Sequence, residues 1–268
     1  MIVRAAPTGV ASWHLTSLEF AVLLDRIGRD RVPFPFSWTT RARTAADLRA
    51  EREAARRRLG DRSLLAAASL LGGPGLQVTA CGVESSDRRV RIRAATSYSA
   101  IPLHSDRPPA FPLAVVVVQD PGPTSDTGGT VHVHAVPPER MTHTLTAALP
   151  HRRAGRVTPS SVSRDDVVRA PSSHLHDSRG DTDRDRVIHI LDGPREGLGE
   201  IVVGHGGDGP LEAIAGRRWI DALGDGRYLV HATDVVAVLP ATAQTIAAAL
   251  DDEIRRAGAV PPVTGTRS

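Results

Sequence analysis

From residue 76 onward the chain is built of short runs that alternate in polarity or carry β-branched residues, each closed by turn residues. The first runs cover 76–83, 90–98, 113–119 and 130–136, with turns at 85–87, 107–109 and 120–129. β-Branched side chains suit a pleated surface, so this spacing predicts an antiparallel meander. The longest apolar run, 113–118, is strand-sized, far below the ~20 residues of a membrane span.

Helices are expected before the meander. Thr16-Ser-Leu-Glu19 reads as a capping box, followed by Leu18, Ala21, Val22 and Leu24 at helical spacing, with Gly28 to end the helix. Pro33 and Pro35 then force an extended path. Thr44-Ala-Ala-Asp47 starts a second helix, which places Leu48, Ala55 and Leu59 on one face and arginines on the other. Gly-Gly-Pro-Gly at 72–75 breaks the chain before the meander. After it, Pro137-Pro138 stops the strands and 139–149 reads as a helix. Residues 151–185 form a long polar connection with a short helix at 163–169. Strands are expected again at 187–191, 200–203, 218–222, 228–231 and 235–239. A helix at 241–256 closes the fold, and a disordered tail covers 259–268.

The two series echo one another. Residues 131–136 (VHVHAV) lead through proline to a helix holding TLTAAL. Residues 235–239 (VVAVL) lead through Pro240 to a helix holding TIAAAL. A duplicated unit would give two pseudo-two-fold-related halves, and chance similarity between alanine-rich helices is the alternative.

Four of the nine aromatic residues, Trp13, Phe20, Phe34 and Phe36, sit within the 24 residues 13–36. Aromatics bury large area per residue, so all four read as core anchors.

Charge points less clearly to a partner than the sequence pI of about 9.9 suggests. The net charge is only +3, all 33 basic residues are arginine, and arginine is abundant throughout. A nucleic-acid footprint requires clustering on one face. The basic face of 49–58 could touch phosphate, but reads better as a solvated helix face. The single cysteine, Cys81, excludes an internal disulfide framework and suits a reducing compartment. The first residues, MIVRAAPTGVASW, lack the apolar core of a secretory signal.

Several motifs resemble chemical sites and fail on one requirement each. Gly204-His-Gly-Gly-Asp-Gly209 is a literal G-x-G-x-x-G with Asp225 near the expected acidic position. The residues after Pro210 read as strand, so a glycine-rich hairpin loop fits better. Residues 181–192 resemble a calcium loop, but Arg186 occupies the position that needs glycine and Asp192 the one that takes a bidentate glutamate. His132 and His134 share a strand face, and His174 and His176 lie in the polar connection. Neither pair has a Cys, Glu or Asp at a spacing that completes a zinc site, so solvent-facing histidines fit better. Cys81 has no flanking base and reads as a buried structural thiol. No catalytic set and no cofactor site emerges. Binding then becomes the leading class, and Tyr98-Ser-Ala-Ile101-Pro-Leu103 is either an exposed apolar patch or strand-end packing.

Beyond these readings, the chain resembles the EspG family of ESX (type VII) secretion-associated proteins of actinobacteria. The resemblance rests on Trp13-x-Leu15-Thr16-x-x-Glu19-Phe20, Leu23-Leu24, Gly28-Arg-Asp-Arg-Val-Pro33-Phe-Pro35 and the helix at 41–59. It continues with Trp219-Ile-Asp221, Asp225-Gly-Arg-Tyr-Leu-Val230 and the closing helix. It spans roughly 12–257. It implies one α+β domain, an antiparallel sheet flanked by helices, with pseudo-two-fold halves at about 12–150 and 160–258. The implied function is non-enzymatic and cofactor-free. A cytoplasmic chaperone would hold the apolar tip of a helical PE–PPE-like secreted substrate, with no nucleic acid or membrane partner. A homodimer through an isologous contact is compatible with it. The family's long strand-connecting loop would correspond to 97–111. Its apolar residues Tyr98, Ile101, Leu103 and Phe111 are the expected partner-binding residues. The 151–185 connection matches no motif of that family.

Overall fold

A computed structural model describes residues 4–6, 10–84, 88–96, 113–124, 127–168, 182–206 and 211–258. The four expected runs become β3 (Gly75–Glu84), β4 (Arg88–Thr96), β5 (Ala114–Pro121) and β6 (Gly128–Val136). The later runs become β8 (Arg195–Gly206), β9 (Glu212–Ala222), β10 (Arg227–Ala232) and β11 (Val235–Pro240). Short β1 (Arg4–Ala6), β2 (Val10–Leu15) and β7 (Ser160–Ser163) add edges that composition alone did not suggest. All join in one antiparallel eleven-stranded sheet, in the order β1-β2-β6-β5-β4-β3-β8-β9-β10-β11-β7.

Both N-terminal capping boxes form. Thr16 and Glu19 exchange hydrogen bonds at the start of α1 (Ser17–Arg26), and Thr44 and Asp47 do so at α2 (Ala45–Arg58). Gly28 ends the first with a left-handed φ of 82°. Next comes α3 (Arg62–Gly72), capped by Asp61 and not anticipated from the pattern. A 3-10 turn (Pro138–Arg140) leads into α4 (Met141–Ala147), and α7 (Ala243–Gly258) closes the fold. The tail at 259–268 lies outside the described residues.

One expectation is corrected outright. Residues 187–191 are not a strand but part of α6 (Asp183–Asp192). Thr182 and Asp185 form a third capping box, and Val187 and Ile190, three residues apart, bury together. The β-branched composition of VIHIL imitated a strand. The 151–185 connection also holds β7 and a short α5 (Arg164–Val168), as its proposed helix required.

Element order recurs along the chain: first two short strands and then one, each followed by helices, a four-strand meander and a helix. In the sheet, β3, β4, β5, β6 and β2 run outward from the centre on one side, and β8, β9, β10, β11 and β7 on the other.

The helices leave one region of the sheet open. On one face, α4 and α7 cover the centre, packing Leu145, Ile246 and Leu250 against Val78, Ile92, Ile201 and Trp219. On the other face, α1 and α3, backed by α2, cover β2, β5, β6 and the end of β4 around Phe20, Leu64 and Val133. At the far end of that face, α6 covers β9, β10 and β11 around Val187, Tyr228 and Val238. Between these two caps, on this face, no described helix core reaches β3 or β8, and β4 joins the first cap only at Ala95. No helix among the described residues is long and apolar enough to cross a membrane.

Of the four clustered aromatics, Trp13, Phe20 and Phe36 are buried as expected. Phe34 is not: it is 66% exposed. The turn at 33–36, closed by Phe36 N–H donating to Pro33 O (3.1 Å), sends the two rings opposite ways. Phe36 packs edge-on against Phe20 (centroids 5.3 Å apart), and Phe34 is left facing out.

Candidate functional site

Side chains alternate along a strand, so every second residue of β3, β4, β8 and β9 faces the open region. Register aligns two neighbouring rows there. Arg91, Cys81, Glu200 and Arg218 stand side by side across four strands, and Arg89, Val83 and Leu198 form the next row. These residues, with Phe34, Pro35 and Ser37, line a cleft of about 630 Å³.

Two buried sheet residues build the cleft's lip. Arg93 on β4 is 8% exposed and Gln119 on β5 is 2% exposed. Arg93 Nη1 donates to the Phe34 carbonyl at 2.8 Å, and its Nε donates to Gln77 Oε1 at 2.9 Å. Gln77 Nε2 in turn donates to the carbonyls of Leu71 and Gly73, both at 3.3 Å. Gln119 grips Ser37 in both directions: Ser37 N–H donates to Oε1 at 2.9 Å, and Nε2 donates to Ser37 O at 2.6 Å. Burial, with the Arg29 charge adding to it, holds the Arg93 guanidinium below its ordinary pKa. The 34–37 segment is thus bolted to the sheet through its backbone, which leaves the Phe34 ring projecting at the lip.

The cleft floor rests on Trp219. Its indole lies on the α4/α7 side, flat across Gly82 and Gly199, where a Cβ at either glycine would overlap the ring. The adjacent β9–β10 hairpin is locked by charge. Arg227 donates to Asp221 from Nε at 2.6 Å and from Nη2 at 2.8 Å, with both side chains buried. The polar connection after α4 is strapped to this hairpin and to the end of β3. Arg152 meets Glu84 at 3.2 Å, Arg156 meets Asp225 at 2.9 Å, and Val157 N–H donates to the Tyr228 hydroxyl at 2.9 Å. Tyr228 donates its proton to Asp225.

Cys81 is corrected from buried to half-buried, because it points into the cleft and not into the α4/α7 core. Burial, and then the Glu200 charge, push its thiol pKa up, so it is a poor nucleophile. The literal G-x-G-x-x-G leads from β8 to β9 in antiparallel pairing, and its residues 207–209 lie outside the described residues. A strand comes next where a dinucleotide site places a helix N-terminus. The calcium-loop reading fails because 183–192 is helix. His132 pairs with Asp120 at 2.9 Å and His134 with Ser12 at 2.9 Å, each half-buried, while His174 and His176 lie outside the described residues. Among the described residues no group of three or more His, Cys, Asp or Glu is placed to hold a metal ion. On α2, Arg52 and Arg56 pair with Asp25, Arg57 with Glu53 and Arg58 with Glu19.

The expected partner residues Tyr98, Ile101, Leu103 and Phe111 lie outside the described residues. The strands that flank their loop pair at Thr96 and Ala114, seven residues along β4 from Arg89. The cleft is therefore built from residues that sequence reading did not single out as a site. Two signals carried them. Arg89-Val-Arg91-Ile-Arg93 alternates arginine with apolar residues, which marks one charged strand face, and Pro33-Phe34-Pro35 fixes a rigid turn around an aromatic.

A sequence profile of the EspG family matches residues 16–252. No match to an individually curated protein was found. The matched span runs from the α1 capping box into the closing helix, and the chain belongs to the EspG family of ESX secretion-associated proteins.

Proposed function

We propose that this EspG-family protein is a cytoplasmic, non-enzymatic chaperone that receives the apolar tip of a helical PE–PPE-like secreted substrate on its open central sheet. The observation that carries this reading is the stretch of β3, β8 and the 89–93 part of β4 that no described helix covers between the two caps, with Phe34 and Leu198 exposed at its border. An apolar patch rimmed by charge suits a protein partner. A rigid groove between helices suits capture of a helix end, which buries apolar surface that would otherwise aggregate. The mechanism is stoichiometric shielding and requires no nucleotide or metal. Tyr98, Ile101, Leu103 and Phe111 on the neighbouring loop add a second set of apolar contacts in this proposal.

Co-expression with a PE–PPE-like helical substrate tests it. The expected outcome is a soluble stoichiometric complex, with the substrate insoluble alone. A substrate that is soluble alone and fails to co-purify would overturn the reading.

A further inference from the structure

The chaperone reading leaves open what distinguishes one helical tip from another, and the chemistry of the cleft addresses it. Phe34 is an exposed aromatic in a chain with only nine, on a turn whose backbone Arg93 holds at the Phe34 carbonyl and Gln119 holds at Ser37. With the backbone already placed, only the two side-chain torsions are ordered on contact, which is what makes an aromatic an effective anchor. Val83 and half-buried Cys81 lie on the floor, and Leu198, 37% exposed, borders it.

The rim is mainly cationic. Arg89 on β4 and Arg218 on β9 are exposed and line the cleft, and neither makes an ion pair with a described residue. Glu200 stands opposite Arg218 in register, yet the two form no ion pair. Arg91 adds a further guanidinium, buried, with Nη1 donating to Thr127 O at 3.3 Å. Three strand spacings separate β4 from β9, roughly 14 Å at about 4.8 Å each. An α-helix with its side chains is about 10–12 Å across, so one helix end fits between the two arginines.

We infer that the helix end seated in this cleft packs apolar residues on Phe34 and carries carboxylates on its flanks, which Arg89 and Arg218 receive. This rests on the chaperone reading and adds a charge rule to it. The apolar floor supplies contact, and the arginine rim selects acidic-flanked tips over basic-flanked ones through like-charge repulsion.

The test uses two synthetic helical-hairpin peptides with the same Leu-Phe tip, flanked by Asp in one and by Lys in the other. Cys81 is the only cysteine, so its rate of alkylation by excess maleimide at alkaline pH, where enough thiolate forms despite the raised pKa, reports occupancy of the cleft. The Asp-flanked peptide should protect Cys81 and bind at least about ten-fold more tightly than the Lys-flanked one, a preference that fades at high salt. Arg89→Glu with Arg218→Glu should reverse the preference. Phe34→Ala should weaken both peptides about ten-fold. Equal protection by both peptides, protection by neither, or indifference to Phe34→Ala overturns the inference. Failure here with a helical substrate still co-purifying leaves the chaperone reading standing, whereas loss of the substrate complex removes that reading itself.

Discussion

Arg93 Nη1 and the Phe34 carbonyl oxygen lie 2.8 Å apart, which joins the middle of the sheet to the lip of the cleft. The same guanidinium holds Gln77, so one buried cation satisfies acceptors from two separate segments. Arg93→Met removes the donor and leaves the Phe34 and Gln77 oxygens without it. Each unsatisfied buried group costs about 1–3 kcal/mol, so for the two a loss of roughly 2–6 kcal/mol is expected in urea unfolding. Capture of a helical substrate should fall with it, because the Phe34 turn is no longer anchored.

Asp61 unites two roles. One oxygen accepts the Trp13 indole N–H at 2.8 Å, and the other caps α3 through Ser63 N–H at 2.8 Å. The Trp13 hydrogen bond first, against burial, and then the α3 backbone donors hold its carboxyl below the ordinary aspartate value. A lowered folded pKa means stabilisation present above the unfolded value of about 4 and lost as pH falls below it. Asp61→Ala should cost about 2–4 kcal/mol at pH 7, from one cap and one stranded indole. Asp61→Asn, whose one acceptor oxygen keeps the cap and loses the Trp13 contact, should cost less. Urea midpoints at pH 7 and pH 3 check both statements, and the gap between wild type and Asp61→Ala should narrow at the lower pH.

At the opposite end of the pH scale, Tyr228 has its pKa pushed up to about 12 by burial, then by its hydrogen bond to Asp225. A raised pKa stabilises the neutral fold fully below pH 10, and that contribution disappears as pH rises from 10 towards 12. In a Tyr98→Phe background Tyr228 is the sole tyrosine, so absorbance at 295 nm should show tyrosinate forming near pH 12 instead of pH 10. Tyr228→Phe leaves Val157 N–H without its hydroxyl acceptor and should cost about 1–3 kcal/mol.

Gly199 and Trp219 are opposed in register across β8 and β9, and the indole occupies the space a side chain would take. Gly199→Ala should displace the ring and destabilise by about 1–3 kcal/mol, the usual range for overpacking a core. Tryptophan near-UV circular dichroism should change with it. Unchanged spectra with unchanged stability would show that the added methyl group is accommodated without displacing the ring.

Local signals were legible wherever the physics was local. The Thr16/Glu19 and Thr44/Asp47 boxes announced α1 and α2, because a cap satisfies backbone donors within four residues. The same signal at Thr182/Asp185 was present but outweighed by β-branched Val187, Ile188 and Ile190, which favour a strand. Phe34 and Phe36 show the limit at the site. Each sits directly after a proline, yet one is in the core and the other in solvent. Nothing between residues 33 and 36 distinguishes them; Arg93 and Gln119, more than fifty residues away, set how the turn lies.

The sequence by itself determined the capped helices α1 and α2, the closing helix, the antiparallel meanders, the apolar strand faces and the family, because alternation, capping and turn chemistry act over a few residues. Only the tertiary structure decided that β3 pairs with β8 at the sheet centre, and that two helical caps stop short of one another. It alone brought Arg91, Cys81, Glu200 and Arg218 into one row. Those residues lie up to 137 positions apart. Their meeting depends on strand register, which is selected by the burial of whole faces and not by any single residue.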